Sequence, residues 1–133
     1  MASTRLVSLL EETLQPFRER LEFQGRDILL SPELCFDLSL VAHELATNSV
    51  KYGSLGEDSG RITLTWSLSV TPDSPSVFNF AWNDPVVTSE ASGVGGGFGS
   101  KLLRALIERK WGGKIEVEKD TSYRFSFAIP LAA

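Results

Sequence analysis

Three polar residues at helical spacing offer the clearest candidate chemistry in this sequence. Glu44, Asn48 and Lys51 stand at positions i, i+4 and i+7, and residues at this spacing share one side of an α-helix. A carboxylate and an amide oxygen are hard ligands that suit Mg²⁺, an ammonium group suits a phosphate, and a carboxylate beside the metal would orient or deprotonate a nucleophile. The same residues are equally compatible with an ordinary solvent-exposed helix face. From chemistry alone, both interpretations stay open.

The helix that would carry these residues is well delimited. A capping hydroxyl, a proline and an acidic residue follow one another at Ser31-Pro32-Glu33, which is typical of a helix start. The helix is expected to run to about Tyr52 and to end at Gly53. A neighbouring stripe at the same spacing is apolar: Leu34, Leu38, Val41 and Leu45. We therefore predict a helix that buries one side and holds the polar row at the edge of the core.

The rest of the chain alternates between strand and helix patterns. Period-2 alternation predicts strands, and spacings of three and four predict helices. The expected elements are a helix over 4–14, one or two short strands over 21–30, a hairpin of strands over 62–70 and 78–82, a helix over 98–110, and antiparallel strands from 115 and over 123–129. This order predicts an α/β fold, a two-layer sandwich in which helices cover a single face of one sheet. Residues 1–133 are expected to form a single domain.

Composition excludes several classes of protein. The chain has 133 residues, a net charge of −4 and 42% hydrophobic residues, as expected for one soluble domain and not for a nucleic-acid-binding protein. No apolar run approaches the roughly 18 residues of a membrane span, and the first residues lack the pattern of a signal peptide. Cys35 is the single cysteine, so no internal disulfide can form. We expect a cytoplasmic protein that contacts neither nucleic acid nor membrane.

The run from His43 to Gly53, His-Glu-Leu-Ala-Thr-Asn-Ser-Val-Lys-Tyr-Gly, resembles the N box of HWE-type sensor histidine kinases. These kinases belong to the GHKL superfamily, whose Bergerat ATP-binding fold is also found in gyrase, the heat-shock chaperone and mismatch-repair ATPases. The resemblance implies a Bergerat-type mixed sheet with helices on one face, and ATP and Mg²⁺ as cofactors. It also implies that Asn48 holds the metal and that Glu44 orients or activates an attacking imidazole.

A second stretch, Trp82-Asn83-Asp84, follows a predicted strand and opens a long irregular segment. These residues also make a good turn. In the family that the N box resembles, an acid two residues after this tryptophan accepts a hydrogen bond from the adenine amine, which implies that role for Asp84. The chain departs from the family in having Asp where many members have Glu, and Pro85-Val86-Val87 where glycines are usual.

A third stretch, Gly97-Phe98-Gly99-Ser100, resembles the second glycine box of the same family. Glycines let backbone N–H groups approach phosphate oxygens at a helix N-terminus, so this stretch and Lys51 are expected to bind phosphates. The spacing is neither a Walker loop nor a Rossmann fingerprint.

Tyr52 either flanks the ligand or caps the core. The loop over about 85–96 is expected to act as a lid that nucleotide orders.

His43 is the single histidine, and its position on the helix is about 100° from Glu44, off the polar row. We therefore expect it to be structural. The resemblance implies that the phosphoacceptor histidine lies on a separate dimerisation domain, in cis or in trans. The resemblance implies a kinase that transfers the γ-phosphoryl group of ATP to that histidine, with a response regulator downstream. The alternatives are a stand-alone ATPase or an anti-sigma-like serine kinase of the same superfamily, and a nucleotide-sensing module without catalysis.

Overall fold

The computed structural model describes residues 4–57, 60–86 and 98–131, with side chains in the last range from residue 101 onward. In chain order its elements are β1 (Thr4–Arg5), α1 (Leu6–Thr13), a 3₁₀ helix (Gln15–Arg20), β2 (Leu21–Gln24), β3 (Leu29–Leu30), α2 (Pro32–Tyr52), a 3₁₀ turn (Ser54–Gly56), β4 (Ile62–Thr71), β5 (Ser74–Asp84), α3 (Phe98–Arg104), a π-helical turn (Ala105–Lys110), β6 (Lys114–Lys119) and β7 (Tyr123–Pro130).

The main sheet has five strands in the order β2-β4-β5-β7-β6. β2 pairs parallel to β4, whereas β4–β5, β5–β7 and β6–β7 pair antiparallel, so the sheet is mixed. The hairpin predicted from the alternating residues of β4 and β5 is confirmed, with Leu64 opposite Trp82. β2 and β6 form the two edges of this sheet.

One core joins the inner face of the sheet to the three helices. The sheet contributes alternate residues of its central strands, and the apolar stripe predicted for α2 is buried in full: Leu34, Leu38, Val41 and Leu45. Small polar residues such as Thr65, Ser67, Asn79 and Ser126 line the opposite face. This is the pattern of a two-layer sandwich, and the predicted fold class is confirmed.

The capping predicted for α2 is also present. The side chain of Ser31 accepts a hydrogen bond from the N–H of Leu34 at 3.2 Å, Pro32 occupies the first turn, and Gly53 follows the last helical residue. The helix is 21 residues long. It therefore spans the core and brings its C-terminal turn to the end of the sheet where β5 stops.

Two helix boundaries differ from the sequence-based expectation. The first helix begins at Leu6 because Thr4 and Arg5 pair with β3. The third helix is α-helical only to Arg104, after which a wider turn follows, with the N–H of Trp111 donating to the carbonyl of Leu106 at 3.1 Å. Both departures depend on contacts that local periodicity does not encode.

Within residues 4–57, 60–86 and 98–131, no helix has both the length and the apolar character needed to cross a membrane.

Candidate functional site

Two of the three residues of the predicted polar row, Glu44 and Asn48, lie at the edge of the core. Glu44, Asn48 and Tyr52 are half-buried, and the adjoining Leu45 and Ser49 are buried. Glu44 and Asn48 stand one helical turn apart on this partly open edge. The helix thus presents a carboxylate and an amide oxygen beside one another, while its packed side fixes their position.

The last residue of β5, Asp84, is 3% exposed and has hydrogen-bond donors on both carboxylate oxygens. Oδ2 accepts the hydroxyl of Ser49 at 2.6 Å. Oδ1 accepts the hydroxyl of Ser54 at 2.5 Å and the N–H of Val86 at 3.0 Å. The N–H of Ser54 is shared between the two oxygens, at 3.0 and 3.1 Å. The C-terminal end of α2, the residues after it and the end of β5 are therefore tied together through one carboxylate.

These four donors are all neutral, and they match the acceptor capacity of an ionised carboxylate, which is about four lone pairs. The hydroxyl of Ser49 also accepts the N–H of Leu55 at 3.1 Å while it donates to Asp84. A buried carboxylate held in this way is preorganised, because its orientation is fixed before any ligand arrives.

Gly53 provides the close approach that this arrangement needs. A Cβ atom added at Gly53 would lie 2.0 Å from Oδ2 of Asp84 and 3.1 Å from Oγ of Ser49. The backbone angles of Gly53, φ −133° and ψ −156°, are open to any residue. The requirement for glycine here is therefore one of space and not of backbone conformation.

Tyr123 is the cross-strand partner of Asp84 in the β5–β7 pairing. It lies on the inner face of the sheet and packs against the core. Burial, followed by the negative charge of Asp84, raises the pKa of Tyr123 to about 12. The phenol therefore stays protonated beside the carboxylate at physiological pH.

The structure does not bring the other predicted residues to Asp84. Lys51 is exposed and lines a groove of about 410 Å³ together with His43, Phe17 and Val50, between α2 and the first 3₁₀ helix. His43 is exposed and lines the same groove as Lys51, the third residue of the predicted row.

The glycine box lies partly outside the described residues. Phe98, Gly99 and Ser100 form the first residues of α3, without described side chains, and Gly97 lies outside the described residues. The lid expected over 85–96 also lies outside them, apart from Pro85 and Val86.

Sequence reasoning missed Ser49 and Ser54 as partners of Asp84. One signal was available for Ser49, because it follows Leu38 and Leu45 on the buried side of α2 and a hydroxyl at such a position needs a partner. Ser54 carried no comparable signal. Its contact with Asp84 joins residues 30 positions apart.

A second buried carboxylate lies near the other end of α2. Asp37 is 3% exposed. Its Oδ2 atom accepts the indole N–H of Trp111 at 2.7 Å and pairs with Nζ of Lys110 at 2.7 Å. Nζ of Lys110 also lies 3.6 Å from Glu33. The hydrogen bond with Asp37 is the largest cause that raises the pKa of Lys110. This cluster fastens the end of the third helix to α2.

Comparison with known proteins places the chain among histidine kinases. Over 107 residues it is 35% identical to blue-light-activated histidine kinase 1 of Erythrobacter litoralis, and over 102 residues it is 31% identical to the blue-light-activated histidine kinase of Brucella ovis. These matches cover 78% and 77% of this chain. This chain is a homologue of the histidine kinases. The resemblance carried by the N box is thereby confirmed.

Solved structures show the same fold. The catalytic domain of the histidine kinase ThkA matches with a TM-score of 0.59 and 20% identity, covering 98% of this chain and 97% of that domain. Full-length ShkA, solved in complex with AMPPNP, matches with a TM-score of 0.56 and 19% identity over 99% of this chain and 32% of its own. No protein-family model matches the chain. The chain spans only 28% and 21% of the two curated relatives named above, so it corresponds to one part of those kinases.

Proposed function

We propose that this chain is the catalytic, ATP-binding domain of a histidine kinase, and that residues 1–133 form that single domain. It would bind Mg-ATP and transfer the γ-phosphoryl group to a histidine on a separate dimerisation domain. The observation that carries the proposal is the preorganised carboxylate of Asp84, which lies at the end of α2 that also bears Asn48 and Glu44. Asp84 would accept a hydrogen bond from the base. Asn48 and Glu44, in the same region, would face the metal that the phosphates bind.

Asp84 would recognise the adenine base by accepting a hydrogen bond from its exocyclic amine. The carboxylate fits this role because its donors include two hydroxyls, Ser49 and Ser54, whose protons can rotate to other acceptors. A lone pair on Asp84 can therefore become available without movement of the backbone. Tyr52, half-buried at the end of α2, would flank the base.

The phosphate end of the ligand would meet the polar edge of α2. Asn48 would hold Mg²⁺ through its amide oxygen, and Glu44 would orient or activate the attacking imidazole. A site with one or two protein ligands suits Mg²⁺, which usually takes its remaining ligands from phosphates and water. Lys51 and the backbone of Gly97, Phe98, Gly99 and Ser100 would hold the phosphates. ATP supplies the phosphoryl group, and the protein contributes position and charge neutralisation.

Several relationships follow from this proposal. The structural neighbour ShkA was solved with AMPPNP, which supports a nucleotide as the ligand of the shared fold. A dimerisation domain in cis or in trans would present the histidine, a response regulator would act downstream, and the reaction would take place in the cytoplasm.

Calorimetric titration with Mg-ATP tests the binding step. Wild type should bind. Asn48→Ala should lose the dependence of binding on Mg²⁺, whereas Glu44→Gln should bind nucleotide normally but fail in transfer to an added dimerisation domain. Two variants that both bind Mg-ATP and transfer phosphate at the wild-type rate would reduce α2 to a scaffold.

The location of the acceptor has its own test. His43 shares the rigid helix of Glu44, and in-line attack needs the nitrogen roughly 3 Å from phosphorus. The isolated chain should therefore show no phosphohistidine when incubated with radiolabelled ATP, and added dimerisation helices should become labelled. Acid-labile label on the wild type that disappears in His43→Ala would place the acceptor on this chain instead.

A further inference from the structure

Arg20, the last residue of the first 3₁₀ helix, donates hydrogen bonds to three backbone carbonyls. One of them belongs to Ser54, which binds Asp84. Its Nε donates to the carbonyl of Gly60 at 2.7 Å, and its Nη2 donates to the carbonyl of Ser54 at 2.8 Å. Nη2 also donates to the carbonyl of Glu57. One guanidinium thus binds three carbonyls of the segment between α2 and β4.

Ser54 is consequently held from two sides. Its carbonyl is bound to Arg20, and its N–H and hydroxyl are bound to Asp84. Ser54 is fully buried, so both sets of contacts are shielded from solvent in the intact protein. Contacts on both sides of its Cα restrain the two soft dihedrals of Ser54, and loss of the Arg20 contact would relax this restraint on the N–H and hydroxyl that bind Asp84.

The guanidinium is suited to this task in a way that an ammonium is not. It is planar, it stays charged at any physiological pH, and its donors have a fixed geometry. Two of its nitrogens are used at once on carbonyls 6 residues apart. A lysine would retain the charge but would not hold both carbonyls in fixed relation to each other.

We propose that Arg20 is a positioning residue for adenine recognition, acting on Asp84 through Ser54. The inference rests on the proposed function, since it assigns to Arg20 a part in presenting Asp84 to the base. Arg20 touches neither the base nor the carboxylate in this arrangement. Its effect should therefore be seen in the discrimination between bases and should require Asp84.

The test compares ATP with inosine triphosphate, which carries an oxygen in place of the amine. Arg20→Ala should weaken ATP binding by about tenfold, the lower end of the loss found when a group that orients a metal ligand is removed, with little change for inosine triphosphate. In an Asp84→Asn background, Arg20→Ala should change ATP affinity by less than about twofold, as expected for residues acting in one network. Arg20→Lys should fall between Arg20→Ala and wild type.

Arg18→Ala is the matched control, because Arg18 is an exposed arginine of the same 3₁₀ helix and its loss changes net charge equally. It should leave both affinities unchanged. Hydrogen exchange supplies a readout that needs no ligand: the Ser54 amide should exchange faster in Arg20→Ala than in Arg18→Ala.

Equal losses for the two nucleotides, or additive effects of Arg20→Ala and Asp84→Asn, would overturn the inference while leaving the proposed function intact. Unchanged protection of the Ser54 amide would overturn it as well. If Arg20→Ala does not fold, Arg20→Lys and its exchange profile decide the matter. A wild-type chain that binds no ATP would instead refute the proposed function, and this inference with it.

Discussion

One buried aspartate lies near each end of α2, and the partners of the two are of different kinds. Asp37, near the N-terminal end of α2, meets the ammonium of Lys110 and the indole of Trp111. Asp84, at the other end, is bound by hydroxyls and backbone N–H groups. Among the described residues, no cationic side chain lies within ion-pair distance of Asp84. Both carboxylates are 3% exposed.

This difference indicates a structural role for Asp37 and makes Asp84 a candidate binding group. Neutralising a buried carboxylate with a cation satisfies its charge within the protein. A carboxylate oriented only by neutral donors retains its charge for a further partner. The Asp37 end therefore fixes the third helix to α2, whereas in the proposed function Asp84 accepts a ligand amine once one of its hydroxyl donors turns away. Variants at the two ends should accordingly affect different measurements.

The largest contrast is expected between two glycine-to-alanine variants. Gly53→Ala would place a methyl group 2.0 Å from Oδ2 of Asp84, which must displace the carboxylate and should abolish ATP binding. Gly112→Ala, beside Trp111, meets open space, and its φ of 68° imposes only backbone strain of roughly 1–2 kcal/mol. Thermal unfolding and ATP titration of both variants test the contrast. Retained ATP affinity in Gly53→Ala would show that Asp84 is not positioned for the ligand.

The two aspartates themselves give the next contrast. Asp84→Asn should weaken ATP binding by on the order of 1.5–3 kcal/mol, the contribution of a hydrogen bond to a charged group. Asp37→Asn should leave ATP affinity unchanged and lower the free energy of unfolding, because the buried site loses its charge-assisted hydrogen bonds to Trp111 and Lys110. Isothermal titration beside urea unfolding separates the two outcomes. Equal ATP affinities for wild type and Asp84→Asn would remove Asp84 from the site.

Alkaline pH should act on the Asp84 end through Tyr123. The pKa of this tyrosine is about 12 in the folded protein, against an ordinary value of 10.0 for a tyrosine exposed to water, so the unfolded chain loses the proton first. Its contribution to stability is therefore complete below about pH 10 and is lost as the pH rises toward 12. Tyr123→Phe should show a shallower fall in unfolding free energy over this window. A fall of equal slope in both proteins would contradict the shift.

The smallest effect is expected from Lys110→Gln. The ammonium of Lys110 is largely exposed, and an exposed ion pair contributes little to stability, although Asp37 itself is buried. We expect a slight decrease in melting temperature, lessened sensitivity to salt, and unchanged ATP affinity. Differential scanning calorimetry at low and high salt measures the melting temperature and its sensitivity to salt, and titration measures ATP affinity. A weakened ATP affinity would mean that the two ends of α2 are coupled.

The sequence predicted those parts of the molecule that depend on local pattern. The alternation along β4 and β5 and the apolar stripe of α2 are patterns that repeat within a few residues. The fold class and the buried side of α2 therefore followed from them. The partners of Asp84 did not follow, because Ser49 and Ser54 reach it over 35 and 30 positions. Arg20 reaches Ser54 over 34. Such contacts arise when elements pack, and a single sequence carries no periodic sign of them.

The position of β6 at the edge of the sheet bears on how the protein behaves at high concentration. An edge strand offers unpaired N–H and C=O groups to which another chain can add. Four of the six residues of β6 are charged, Lys114, Glu116, Glu118 and Lys119, and they flank Ile115 and Val117, the strand's two apolar residues. A second copy aligned against this edge would bring these charges close to its own backbone and side chains, at a cost in desolvation. The charged edge therefore disfavours strand-by-strand aggregation even though Val117 is 48% exposed.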